Sequence, residues 1–172
     1  MQPPEVKKTG KRAKTPEQAL AALMRLCARA EKSQDDARRL MRGWGLAERE
    51  GEQVLARLVR DRFIDDGRYA EAFVRDKLRL SGWGAYKIRT ALQRKGIRKE
   101  LIDAALAQAG GTDMGERLAQ MLARKARTVK AATPYDLKTK LIRYGLSLGY
   151  EYEAVIEAAS AMVRETDTCE DF

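Results

Sequence analysis

The chain has 172 residues, 44% hydrophobic and 34% charged, with 34 Lys and Arg against 25 Asp and Glu for a net charge of +9. That composition suits a soluble, helix-rich protein, and the positive balance points to polyanions or acidic partner surfaces. Histidine is absent and cysteines number two, which excludes Ser-His and Cys-His nucleophiles, histidine-ligated metals and a disulfide framework.

Other classes fall away on pattern. No apolar run approaches the roughly 20 residues that span a bilayer. Met1 is followed by Gln2-Pro3-Pro4 and lysines without an apolar stretch, so no secretory leader is expected and the protein is expected in the cytoplasm. A Walker-type Gly-x-x-x-x-Gly-Lys-Ser/Thr loop is missing.

Residues 1–14 carry Lys7, Lys8, Lys11, Arg12 and Lys14 with almost nothing apolar. They read as a flexible basic arm able to touch a phosphate backbone nonspecifically. Thr15-Pro16-Glu17-Gln18 then supplies an N-cap, a first-turn proline and the partner for a capping box. Leu20, Leu23, Met24 and Cys27 form the buried stripe of a first helix. Ser33 opens a second, with Ala37, Leu40 and Met41 inward, ending at Gly43-Trp44-Gly45. A third, about 47–60, buries Val54, Leu55, Leu58 and Val59.

A new group starts at Phe63-Ile64-Asp65-Asp66. Tyr69, Ala70, Phe73, Val74 and Leu78 recur at the helical period over about 66–80. Ser81-Gly82-Trp83-Gly84 breaks the chain before a helix over 85–95 with Ile88 and Leu92 inward, stopped at Gly96-Ile97. A helix over 98–109 buries Leu101, Ile102, Ala105 and Leu106 and ends at Gly110-Gly111. Residues 113–128 make a seventh with Leu118, Met121 and Leu122. Thr133-Pro134 opens an eighth that stops at Gly145, and a ninth, about 150–164, buries Val155, Ile156, Ala159 and Met162. The tail Glu165 to Phe172 is acidic.

The expected fold is all-α: three tandem three-helix repeats over 15–62, 63–111 and 112–164, forming an elongated, curved array. Each repeat is near the size at which a lone core is marginal. Gly45-Leu46, Gly96-Ile97 and Gly145-Leu146 align about 50 residues apart. In that register Arg38, Arg89 and Lys138 coincide, giving a cationic column that either serves a shared partner or arises by chance. Asp65-Asp66 is the one carboxylate pair that could suggest a nuclease metal site. Adjacent residues at a helix start diverge, and no other carboxylate has motif spacing to them, so capping is the preferred reading. No catalytic, cofactor or metal site is expected.

The stretch Phe63-Ile64-Asp65-Asp66, Arg68-Tyr69-Ala70, Phe73-Val74-Arg75, Trp83-Gly84, Lys87-Ile88-Arg89, Leu92 and Lys95-Gly96-Ile97 resembles the RecX family of bacterial regulators of the RecA recombinase. The family pattern is similar to F-I-D-D-x-R-[FY]-A-x-x-F-V-R followed by G-x-x-[KR]-I-R-x-x-L-x-x-K-G-I, with weaker likeness over 16–164. The Cys27 region, Lys77, Trp44 and Trp83 look like a short, Bacteroidetes-like form. The resemblance implies a non-enzymatic, all-α protein without cofactors. Such a protein binds RecA nucleoprotein filaments and opposes their growth, ATP hydrolysis, strand exchange and the co-protease activity behind the SOS response. It also implies weak, nonspecific binding to single- and double-stranded DNA.

Phe63, Tyr69 and Phe73 are read as core, and Trp44 and Trp83 as either turn anchors or exposed interface anchors. The contact candidates for RecA or DNA are Arg38, Arg42, Arg68, Arg75, Lys87, Arg89, Arg94, Lys95, Lys138, Lys140 and Arg143, with Arg68 alternatively paired to Asp65 or Asp66. The chain is expected to be a monomer without membrane contact. A stand-alone helix-turn-helix-type DNA-binding regulator is the rival reading, and a metal-dependent nuclease a distant third.

Overall fold

A computed structural model describes residues 13–109 and 112–167, in which nine helices and no strands are found. Most of the basic arm and the end of the acidic tail lie outside the described residues. The chain divides into two compact units, with the boundary between Tyr69 and Ala70.

The first unit holds α1 (Pro16–Cys27), α2 (Gln34–Gly43), α3 (Glu48–Arg60) and the start of α4 (Asp66–Ser81). Thr15 and Gln18 close the expected capping box: Gln18 N–H donates to Thr15 Oγ1 at 3.3 Å, and Thr15 N–H to Gln18 Oε1 at 3.1 Å. Ser33 caps α2 by accepting from Asp36 N–H at 3.1 Å. Ala19, Leu23, Ala37, Met41, Leu46, Val54, Leu55, Leu58 and Ile64 make the core, with Phe63 and Trp44 packed against it. Each large side chain fully withdrawn from water here contributes about 1.5–3 kcal/mol. Val59, expected inside, is exposed.

The second unit continues with α5 (Ala85–Arg94), α6 (Lys99–Gln108), α7 (Thr112–Ala126), α8 (Pro134–Ser147) and α9 (Tyr152–Asp167). Ala70, Val74, Leu78, Ile88, Leu92, Ile97, Ile102 and Ala105 are buried. Leu118, Leu122, Leu141, Leu148, Tyr150, Val155 and Ala159 form a further cluster with Met121, Leu137 and Ile142 around it.

The middle helix of each repeat ends the same way. Leu46 N–H donates to Met41 O at 3.1 Å, Ile97 N–H to Leu92 O at 3.2 Å and Tyr150 N–H to Gly145 O at 3.3 Å. A glycine with φ of 79°, 70° or 84° precedes each donor, namely Gly45, Gly96 and Gly149. This six-to-one closure needs a left-handed residue, which glycine adopts without penalty. The third stop is therefore Gly149, not Gly145. Helix α8 runs through Gly145, which is buried with its Cα facing Val155: a Cβ there would lie 2.8 Å from Val155 Cγ1.

The corrected register changes the polar column. Arg38 and Arg89 now correspond to Ile142, and Lys138 leaves the series. The acids that follow them, Glu52 and Asp103, correspond to Ile156. Ile142 and Ile156 are both half-buried. The third repeat thus carries an apolar pair where the first two carry an ion pair.

Candidate partner-binding surface

The signature's acidic residues act as caps. Asp65 Oδ1 accepts from Gly67 N–H at 2.9 Å and Arg68 N–H at 3.0 Å, closing the first turn of α4. These amides, Arg68's first, hold the Asp65 carboxyl below the usual carboxylate range. Asp66 Oδ1 turns the other way and accepts from Gln34 N–H, the first amide of α2, at 2.9 Å. Among the described residues no group of three or more His, Cys, Asp or Glu is placed to hold a metal ion. Gly67 sits in the first turn, where its freedom costs little.

Arg68 pairs with neither aspartate. Its guanidinium grips Glu31 two-pronged, at 2.8 and 3.1 Å, and donates to the carbonyl of Arg62 at 3.2 Å. Arg62 itself holds φ of 61°, left-handed without being glycine. Nothing in its residue type signals that conformation, and the Arg68 bond helps fix it.

Several other candidate cations are also engaged within the chain. Arg38 holds Glu52 two-pronged at 2.7 and 3.1 Å, and this partner lowers the Glu52 carboxyl's pKa. Arg89 pairs with Asp103, the residue in the same register position. Lys140 Nζ donates to Asp136 Oδ2 and to Lys130 O, each at 2.7 Å. Arg75 reaches only its neighbour Asp76, at 3.8 Å. Lys95 is half-buried as the C-cap of α5. Arg42, Arg94 and Arg143 are exposed, and Lys138 is half-exposed.

Trp83 is an anchor rather than an exposed blade. Lys77 Nζ and Lys87 Nζ lie 4.6 and 4.7 Å from its ring centroid, and Phe73 meets it edge-on at 6.4 Å. Trp44 is half-buried against its core, with Lys14 Nζ 5.3 Å from the ring.

Next to Trp83, the start of α5 meets the end of α8. Gly84 N–H donates to Leu148 O at 2.7 Å, Tyr86 N–H to Gly149 O at 3.2 Å, and Lys87 Nζ to Ser147 O at 3.0 Å. Three carbonyls left over at one helix end are thereby satisfied by the amides and a cation at the start of another. A Cβ on Gly84 would collide with the Gly149 carbonyl, and one on Gly149 with Lys87. Glycine is required at both positions by this backbone approach.

This junction floors a groove of about 320 Å³, lined among others by Tyr86, Lys87, Ala91, Arg94 and Leu146. Tyr86 is 66% and Leu146 39% exposed. Among the described residues no acidic side chain lines the groove. Arg94 and Lys87 were legible as candidates in the sequence. Tyr86 and Leu146 were not, because neither sits in the signature and the groove depends on the distant Gly84–Gly149 approach. Among the described residues no helix is long and apolar enough to cross a membrane.

Comparison with known proteins places the chain. A family domain described as "RecX, second three-helix domain" matches residues 65–106. The chain is 36% identical over 96 residues to the regulatory protein RecX of Clostridium botulinum, covering 54% of this chain and 44% of that one. It is likewise 36% identical over 104 residues to that of Serratia proteamaculans, covering 60% of each. The matches span less than two thirds of these relatives' own length, and they give no support to a Bacteroidetes-like form. The crystal structure of RecX from Lactobacillus salivarius has a similar fold, with a TM-score of 0.74 at 18% identity, covering 85% of this chain and 95% of that one. A second crystal structure, of a regulatory protein RecX, gives 0.76 at 20% identity, covering 87% of this chain and 73% of that one.

Proposed function

The chain belongs to the RecX family, and from that premise we propose that it is a non-catalytic regulator that binds RecA nucleoprotein filaments in the cytoplasm. By doing so it restrains their recombinase, ATPase and co-protease activities, and so DNA repair and the SOS response. The observation that carries this reading is the match of residues 65–106 to the family's second three-helix domain. The protein acts as a monomer and binds single- and double-stranded DNA weakly, without sequence preference.

Physical chemistry supports the proposal at two points. A chain of similar repeats can meet successive protomers of a polymer, so that weak contacts add through effective concentration. The groove beside α5 combines apolar side chains with Lys87 and Arg94 and has no acidic lining residue among the described residues, which suits an acidic, partly apolar surface on a protomer. In this reading Tyr86, Arg94 and Leu146 contact RecA. Arg42, Arg75, Lys138 and Arg143 supply further positive charge away from this groove, while Arg38, Arg68, Arg89 and Lys140 chiefly hold the repeats in shape.

The test is RecA's DNA-dependent ATPase on circular single-stranded DNA. Sub-stoichiometric amounts of this protein are expected to suppress it progressively. An unchanged rate at equimolar protein overturns the reading. Tight binding to one defined duplex sequence, with RecA unaffected, would install the helix-turn-helix regulator instead.

A further inference from the structure

Two adjoining clefts in the second unit are lined by arginines, three of which belong to no motif discussed above. One, about 300 Å³, lies among α4, α6 and α7; the other, about 360 Å³, lies between the end of α4 and α7. They share Leu78, Arg79 and Arg117. Arg75 lines the first and Arg124 the second, and Glu71 is the single carboxylate among the described residues lining either.

The arrangement is ordered. Arg75 and Arg79 are four apart on α4, and Arg117 and Arg124 are seven apart on α7, so each pair occupies one helix face. Two rows of arginines therefore border the two adjoining clefts, with Arg79 and Arg117 common to both. Arg79 and Arg124 are exposed, and Arg75 has only the long contact with Asp76 at its back. Such a pair contributes little in water. The exposed guanidinium groups of Arg75, Arg79 and Arg124 outnumber the single carboxylate Glu71 among the described lining residues, so the surface is net positive and suits a polyanion.

Arginine also narrows the ligand. Its planar fork matches the two free oxygens of a phosphodiester better than an ammonium does. Among the described residues no aromatic lines either cleft, so these offer bases nothing to stack upon, unlike a single-strand stacking platform. We propose that this arginine-lined hollow seats the phosphodiester backbone of a nucleic acid, engaging its charge and not its bases. The proposal rests on the nucleic-acid half of the function above and is independent of RecA.

The test measures binding of the full-length chain to a fluorescent, mixed-sequence single-stranded oligonucleotide by anisotropy, over a range of salt. Arg79→Glu/Arg124→Glu is expected to weaken binding at least tenfold. The corresponding Gln variant should flatten the salt dependence, each lost phosphate contact removing roughly 0.7 from the logarithmic slope. Both positions are exposed, so far-UV circular dichroism should be unchanged, and the Gln variant carries the test should the Glu variant fail to fold. Arg25→Glu/Arg49→Glu, the same charge change on α1 and α3, should cost less than threefold. An equal loss in that control, unaltered binding in the cleft variants, or no binding by the wild type overturns the proposal. So does loss of RecA inhibition with oligonucleotide affinity intact, which would assign the cleft to an acidic protein surface. Normal oligonucleotide binding through the cleft with no effect on RecA would sink the RecA reading alone.

Discussion

Asp66 Oδ1 accepts a hydrogen bond from the backbone N–H of Gln34 at 2.9 Å, so a residue in the first turn of α4 caps α2, 32 positions earlier. Its neighbour Asp65 caps α4 itself. Together with the Arg68–Glu31 pair, these bonds tie the signature to the entrance of α2. The expected consequence is a stability effect without loss of a chemical function. Asp66→Ala should lower the unfolding free energy by about 1 kcal/mol, the usual worth of a helix cap. Urea denaturation checks it. A change below about 0.3 kcal/mol would remove Asp66 from the structural role.

Acid should expose the Asp65 cap. Hydrogen bonds from Arg68 and Gly67 hold its folded carboxyl below the ordinary value of 3.8. The unfolded chain then binds the proton more readily, so stability is fully present above that ordinary value. It is lost as pH falls through the lower, folded pKa. Glu17, Glu52 and Asp136 are lowered in the same direction, which makes the comparison with Asp65→Asn necessary. Asn still caps but does not titrate in this range. The stability gap between wild type and Asp65→Asn should shrink between pH 5 and pH 2.5, as followed by urea titrations at each pH. A constant gap would contradict the assignment.

Helix existence was readable along the chain because each helix has a periodic apolar stripe and most have a local start or stop. Thr15, Ser33 and Thr133 cap as their types suggest. What the sequence concealed was non-local. Glycine at 145 reads as a stop, yet its role is to let Val155 approach, and the true stop lies at Gly149. Cations read as a binding column, yet Arg38 and Arg89 find carboxylates on the following helix. The arginine hollow draws on three helices, and no local pattern announces such a convergence.

The Gly145–Val155 contact can be tested by coupling. The first repeat solves the same packing problem in reverse, with Met41 large and Gly51 small: a Cβ on Gly51 would lie 3.8 Å from Met41 Cε. In the third, an added methyl at 145 would lie 2.8 Å from Val155 Cγ1, tighter than packed carbon atoms tolerate. Gly145→Ala should therefore destabilise by about 1–3 kcal/mol despite the better helix propensity of alanine. Val155→Ala should relieve the clash. The double variant is then expected to be less destabilised than the sum of the singles by about 1 kcal/mol or more. Thermal or urea unfolding of the four proteins measures this, and strict additivity would refute the contact.

The groove over the Gly84–Gly149 junction makes a separate prediction about partner binding. Tyr86, 66% exposed, and Leu146, 39% exposed, give it an apolar wall beside Arg94. Exposed side chains of this kind contribute little to folding, so their removal should leave stability within about 0.5 kcal/mol. At an interface, by contrast, a buried tyrosine or arginine is a frequent source of affinity, with truncation costing about 2 kcal/mol or more. Tyr86→Ala/Arg94→Glu is therefore expected to raise the concentration for half-inhibition of the RecA ATPase by at least tenfold, with unfolding unchanged. Leu146→Ser, which adds a hydroxyl to the same wall, should produce a smaller shift in the same direction. If both variants inhibit as well as the wild type while the wild type itself inhibits, the RecA contact lies elsewhere on the chain, and the exposed arginines Arg42 and Arg143 become the next positions to reverse.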